Sequence, residues 1–262
     1  MSASLGSCLD FAVDAAWQAG KITLRYFQSG IHAEWKEDLS PVTVADREAE
    51  AKIRDLLARA YPDDGIIGEE FGRVEGSSST RWIIDPIDGT KSFVQGVPLY
   101  GVLIAREGPD GVDVGCCYMP ALDEMVWAAK GEGCWWNGRR AAVSSVAELG
   151  QACICYTSWP SFAEQGREQE WQKLVASTRL RRGWGDCYGH ILVATGRAEA
   201  SFDPIMNPWD CGPLLPILQE AGGTFTDWQG VPTIYGKDAF SSNGYLFESI
   251  IGYLGGHSER GS

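Results

Sequence analysis

Apolar positions recur at helical spacing from about Leu5 to Phe27, through Leu9, Ala12, Val13, Ala16, Ile22 and Tyr26, so the chain opens with an amphipathic helix. The polar loop EWKEDLSPVTVAD follows, and Pro41 within it discourages helix. Ala49, Ile53, Leu56 and Leu57 then share one face of a second helix, which YPDDG stops near Ala60. GIIGEE reads as a short strand entering an acidic corner, and RWIID as a buried strand. From Val97 the pattern becomes strand after strand: VPLYGVLIAR, VDVGCCYM, EMVWAAK and GCWWNGRR, the last with a hairpin turn at Asn137-Gly138. The second half alternates. A strand near ACICYT precedes helices near Glu168 to Ser177 and Tyr188 to Thr195; the strand EASFD, a helix from about Asp210 to Ala221 and the strand GTFTDW complete it. Such alternation favours mixed sheets layered with helices, an α/β sandwich.

Composition narrows the class. The chain has 262 residues, 44% hydrophobic and 22% charged, which suits one large domain or two intimately packed halves and excludes a disordered or fibrous chain. The formal charge is −13, and bases gather only in the short RLRR run at 179–182. A binder of phosphate backbones needs a basic footprint, so no nucleic-acid partner is expected. An acidic protein that receives an anionic substrate needs local cations, and metal ions are one supply. The first 20 residues lack a basic stretch, Asp10 and Asp14 interrupt their apolar positions, and no later segment offers about 20 uninterrupted apolar residues. Neither a signal peptide nor a membrane partner is expected. Eight cysteines without C-x-x-C spacing read as reduced thiols in a cytoplasm.

The stretch WIIDPIDGTKSF carries the chemistry. Asp85 ends an apolar strand, Pro86 is expected to stop that strand, Gly89 permits a sharp turn, and Thr90 can begin a helix. Two carboxylates on one rigid turn attract a hard cation, for which magnesium's preference for oxygen ligands is the natural match. Asp85 and Asp88 taken alone read equally well as turn formers. The six-residue string DPIDGT is more specific: it resembles the metal-binding signature of the inositol-monophosphatase-like phosphatases.

Other parts of that family's pattern follow in order. GEE places Glu69 as a metal ligand and water activator, TVAD places Asp46 next to the catalytic Thr90, and NPWD with GPLLPILQEAGG makes Asp210 a metal ligand. Lys36 sits where the family has a lysine on a mobile loop. The resemblance runs from the first helix to Gly223. It implies a single domain over 1–262 of the alternating α-β-α-β-α sandwich type, with a metal-site half at about 1–145 and a substrate half at about 146–262. It also implies phosphomonoester hydrolysis with two or three Mg²⁺ ions held by Glu69, Asp85, Asp88, Asp210 and the Ile87 carbonyl. Thr90, hydrogen-bonded by Asp46, would orient the attacking water with Glu69, and Asp88, Gly89 and Thr90 would hold the phosphate. Each residue has a plainer reading, such as a Thr43–Asp46 capping box or a helix cap at Asp210. Four acidic motifs in one family's order make coincidence a poor account.

Substrate identity is expected to lie near RGWGDCYGHILVATGRAEASFDPIMNPWD, with Asp186, Asp203 and Asp210 contacting it. The G-D-x-Y-G segment resembles the histidinol-phosphate phosphatases of this superfamily, whose substrate carries a protonated amine and an imidazole that carboxylates can hold. A helix cap competes as the reading of Asp186, and a turn as that of Asp203. Trp184 and Tyr188 could stack on an imidazole or simply pack, and Trp135 and Trp136 read as packing or a subunit contact. His190 reads as a helix-face residue, because a metal mechanism needs no histidine base. The resemblance further implies a cytoplasmic homodimer acting on a small phosphomonoester, with inositol 1-phosphate or a sugar phosphate as the alternative substrate.

Overall fold

The structure, a computed structural model, describes residues 4–35 and 41–255. Lys36 lies outside the described residues. The first half runs α1 (Leu5–Tyr26), the short pair β1 (Glu34–Trp35) and β2 (Pro41–Val42), α2 (Val44–Ala60), β3 (Gly65–Gly68) and β4 (Gly72–Val74). Next come β5 (Arg81–Asp88), α3 (Thr90–Val94), β6 (Gly101–Gly108), β7 (Gly111–Met119), β8 (Glu124–Ala129), β9 (Gly133–Trp136) and β10 (Arg139–Arg140). The second half continues with β11 (Cys153–Tyr156), α4 (Trp159–Glu164), α5 (Glu168–Ala176), β12 (Leu180–Arg182), α6 (Asp186–Ala194) and β13 (Ala200–Asp203). It closes with α7 (Pro208–Cys211), α8 (Leu214–Glu220), β14 (Thr224–Thr226), β15 (Ala239–Ser242) and α9 (Phe247–Leu254).

An eight-stranded sheet ordered β10-β9-β8-β7-β6-β5-β3-β4 lies beside a five-stranded sheet ordered β12-β11-β13-β15-β14. Strand parity decides which layer each side chain joins. Trp82, Ile84, Val102 and Ile104 pack with Ala12, Ala16, Ile53 and Leu57 of α1 and α2 on one face of the large sheet. Ile83, Leu103 and Ala105, one residue out of phase, pack on the other face with Ile191, Cys211, Leu214 and Ile217 from α6, α7 and α8. That same cluster reaches Cys155, Phe225 and Ala239 of the small sheet. The sheet's far face, through Ile154, Phe202 and Phe240, packs on Phe162, Trp171 and Ile250 from α4, α5 and α9. The layers are therefore α-β-α-β-α, as expected from the sequence.

Three local expectations are corrected. Pro86 does not end its strand: β5 continues to Asp88, and its pairing with β6 shifts register between Asp85 (opposite Leu103) and Asp88 (opposite Gly101). Three residues on one strand against two on the other is a bulge, where a proline is tolerated. VPLY is not strand, since β6 begins only at Gly101. The helix expected over 210–221 starts earlier, at Pro208, and is split into α7 and α8, because Pro213 has no N–H to continue the ladder.

Candidate metal centre

The bulge in β5 has a geometric consequence. In a regular strand, residues three apart face opposite sides; the extra residue between Asp85 and Asp88 brings both carboxylates to the side where α7 presents Asp210. Asp85, Asp88 and Asp210 each place one oxygen so that all lie within 4.8 Å of one another. Glu69, just after β3, lies near this group: its N–H donates to the Ile84 carbonyl at 3.2 Å, and its charge acts on Asp46, Asp85 and Asp210.

Each aspartate is anchored by a backbone donor. Asp85 Oδ1 accepts from Ile87 N at 3.0 Å, and Asp88 Oδ2 accepts from Cys187 N at the start of α6. Asp210 Oδ2 accepts from Asn207 N at 2.8 Å in a capping box. Asp46 does the same at the start of α2, its Oδ2 accepting from Thr43 N at 2.8 Å and Thr43 Oγ1 at 2.6 Å. Asp46 Oδ1 is buried with no hydrogen-bond partner.

Crowding shows in the proton affinities. Burial first, then the charges of Glu69, Asp88 and Asp210, push the Asp85 carboxyl well up. Asp88 rises through burial and the charges of Asp186 and Asp210. Asp210 rises to about 7, chiefly by burial, with Glu69's charge adding to it and the Asn207 bonds opposing. Asp46 rises to about 6, again by burial against the Thr43 bonds. Carboxylates held this close are stable as anions only beside a positive charge, and an all-oxygen donor set suits a hard divalent cation. The residues present fit such an ion.

Other expected residues fall around this cluster. The Ile87 carbonyl accepts the Thr90 hydroxyl at 2.9 Å, so the expected Asp46–Thr90 hydrogen bond is replaced by Thr43–Asp46 on one side and Thr90–Ile87 on the other. Gly89 has φ +83°, and a Cβ there would lie 2.9 Å from the Leu99 carbonyl and 3.2 Å from Asp186 Oδ2. Thr90, Lys91, Asp186 and Thr157 line a cavity of about 390 Å³ with Gly89, a volume typical of a small-molecule site. Asp186 takes φ +51°, its N–H donating to Thr157 Oγ1 at 2.6 Å. Burial, then the charges of Asp203 and Asp210, raise its carboxyl to about 7, with Lys91 opposing.

Asp203 is not among the residues that line this cavity. It is 4% exposed, and its Oδ2 pairs with His190 Nε2 at 2.9 Å, while His190 Nδ1 meets Ser241 Oγ at 2.8 Å. Trp135 and Trp136 carry Arg140 and Arg139 over their rings, 4.6 and 3.8 Å from the centroids. Sequence reasoning missed Thr157, for which no local signal exists, and Glu50, whose spacing four residues after Asp46 was a usable one.

The family model for the inositol monophosphatase family matches residues 5–255. The chain belongs to that family. A histidinol-phosphatase from Chlorobaculum parvum is 43% identical over 94% of this chain and 96% of its own length. One from Mycobacterium tuberculosis is 37% identical over 93% and 96%. Among solved structures, the extragenic suppressor protein suhB of Bartonella henselae superposes with a TM-score of 0.89 at 27% identity, over 96% of this chain and 99% of its own. The layered fold is thus that of the family, and the protein is a phosphomonoesterase with the acidic cluster of a metal-dependent enzyme. No described helix is long and apolar enough to cross a membrane.

Proposed function

We propose that the protein is a Mg²⁺-dependent histidinol-phosphatase that releases L-histidinol and phosphate in histidine biosynthesis. Glu69, Asp85, Asp88 and Asp210, with the Ile87 carbonyl, would hold two or three Mg²⁺ ions. Bound there, Mg²⁺ supplies Lewis acidity and lowers the pKa of a coordinated water. The chain's own part is positional. Thr90 donates its proton to Ile87, which leaves its oxygen lone pairs open to accept a hydrogen bond from the attacking water. Glu69 and the orphaned Asp46 Oδ1 offer further acceptors that turn the water toward phosphorus. The water oxygen bonds to phosphorus and passes a proton to Glu69 as the ester P–O bond breaks, and the departing alkoxide takes up a proton from solvent water, the Glu69 proton returning to solvent. The turn at Gly89 and Thr90 would receive the phosphoryl oxygens.

One observation carries the substrate assignment. Asp186 stands in the cavity wall, its Oδ2 3.2 Å from where a Gly89 Cβ would lie, and its carboxylate suits an ammonium or imidazolium group. The names of the two similar histidinol-phosphatases support the same reading. An inositol ring offers Asp186 no cation. The cytoplasmic homodimer implied by the resemblance goes with this proposal.

Asp186→Asn is the clean test, because asparagine tolerates φ +51° whereas alanine adds strain. We expect kcat/KM for L-histidinol phosphate to fall about 10- to 100-fold, a loss of ~1.4–2.7 kcal/mol, with p-nitrophenyl phosphate turnover within threefold of wild type. Equal losses on both substrates, or a wild-type preference for myo-inositol 1-phosphate, would refute the assignment.

A further inference from the structure

One face of α2 carries three charged residues at four-residue intervals, Asp46, Glu50 and Arg54. Asp46 belongs to the acidic site already described. The Glu50 side chain is fully buried and accepts three hydrogen bonds: Glu70 N to Oε2 at 2.7 Å, Phe71 N to Oε1 at 3.2 Å, and Arg54 Nε to Oε1 at 2.7 Å. Arg54 also donates through Nη2 to the Gly72 carbonyl. One ion pair therefore grips the backbone of residues 70, 71 and 72. On the other side of Glu69, β3 pairs with β5, and Glu69 N itself donates to Ile84. Glu69 stands between two fixed segments.

Gly68 shows how closely the carboxylate approaches: a Cβ there would lie 2.1 Å from Glu50 Oε1. Burying an ion pair is seldom the way to gain stability, since apolar residues of similar volume often do as well or better. What an apolar residue cannot do is orient two consecutive backbone N–H groups. Outer hydrogen bonds of this kind hold metal-binding side chains in place, and their loss commonly weakens metal affinity 10- to 100-fold.

We infer that the Glu50–Arg54 pair is a positioning device that fixes the Glu69 loop in its cation-binding conformation and so sets the affinity for the divalent ion. The inference rests on Glu69 being a ligand, as proposed above. In Glu50→Gln an amide NH₂ replaces one acceptor oxygen, and whichever way it turns, at least one of the three donors loses its partner.

Isothermal titration of Mg²⁺, with Mn²⁺ as a second probe, into metal-free protein reads this without reference to activity. The Kd for Mg²⁺ should rise about tenfold in Glu50→Gln. Ile53→Val, a methyl deletion at a buried position of the same helix, should lower Tm and leave that Kd unchanged. A Kd for Glu50→Gln within twofold of wild type overturns the inference, as does an equal rise in Ile53→Val. If Glu50→Gln does not fold, amide hydrogen exchange of the wild type decides. Glu70 and Phe71 amides should exchange as slowly as those of β3, and rapid exchange overturns the clamp. Wild-type protein that binds no Mg²⁺ would overturn the metal centre and this inference together. Tight wild-type binding that Glu50→Gln retains would overturn the inference alone.

Discussion

Asp210→Asn should make the metal-free protein more stable while removing its activity. Asp210 titrates at about 7 in the folded chain against a usual 3.8, a difference of roughly three units. At 1.36 kcal/mol per unit, its ionised form costs the fold up to about 4 kcal/mol above pH 7. The carboxylate sits at the partly exposed mouth of the site, so solvent screening trims this to roughly 1–3 kcal/mol. Asparagine keeps an oxygen for the Asn207 donors, so the cap survives. The native carboxyl holds its proton up to about pH 7, whereas the unfolded one loses it near 3.8. Wild-type stability without metal therefore falls as pH rises through that window, and the variant's does not. Urea denaturation in EDTA should give nearly equal midpoints at pH 4 and a higher midpoint for Asp210→Asn at pH 8. Adding Mg²⁺ at pH 8 should reverse the order, because an ion at 100 times its Kd stabilises the wild type by about 2.7 kcal/mol. A variant that is no more stable than wild type at pH 8 in EDTA would refute the electrostatic account of the cluster.

Two further changes probe its supports. Thr43→Val removes the hydroxyl that opposes the rise of Asp46, so Asp46 should titrate above its present value of about 6. The acidic limb of kcat/KM against pH should then move to higher pH, and loss of the helix cap should cost about 1 kcal/mol in urea denaturation. Gly89→Ala forces a side chain into φ +83° with its Cβ 2.9 Å from the Leu99 carbonyl. We expect a loss of about 1–3 kcal/mol in stability, read by the same denaturation, and at least a tenfold loss of activity.

The residues proposed as ligands could be named from the sequence because each sits in a contiguous string. DPIDGT, GEE and NPWD name Asp85, Asp88, Glu69 and Asp210 without reference to anything distant. The layered architecture came from the alternation of elements and its order from the resemblance; the structure agrees, with Ile83 on one face of the large sheet and Trp82 and Ile84 on the other. What escaped depends on pairing between distant segments. Pro86 looks like a strand breaker until β6 is seen to absorb it in a bulge. Spacing alone offered Thr43 as the partner of Asp46, in a capping box, whereas Thr90 was offered by the resemblance, and the structure makes the Thr43 bond. Glu50 shares a helix face with Asp46 by its spacing, but only the approach of residues 70 and 71 gives it work.

One device recurs at four of the acidic residues. Asp46 and Asp210 are both third residues of capping boxes, each giving one oxygen to the helix start. Asp85 gives one oxygen to Ile87 N within its own turn, and Asp88 gives one to Cys187 N across the sheet-to-helix boundary. Every one of these carboxylates is thereby held by a backbone donor, and Asp85, Asp88 and Asp210 each bring an oxygen to the cluster. A side chain fixed in this way loses no rotamer freedom when a cation arrives, so the ordering cost has been met during folding. The same bonds stabilise negative charge and keep the aspartates from rising further, while burial pushes them up. The balance leaves Asp210 titrating at about 7, close enough to neutrality for a divalent ion to displace its proton. The capping boxes and the bulge are thus part of the metal site as much as the ligands are.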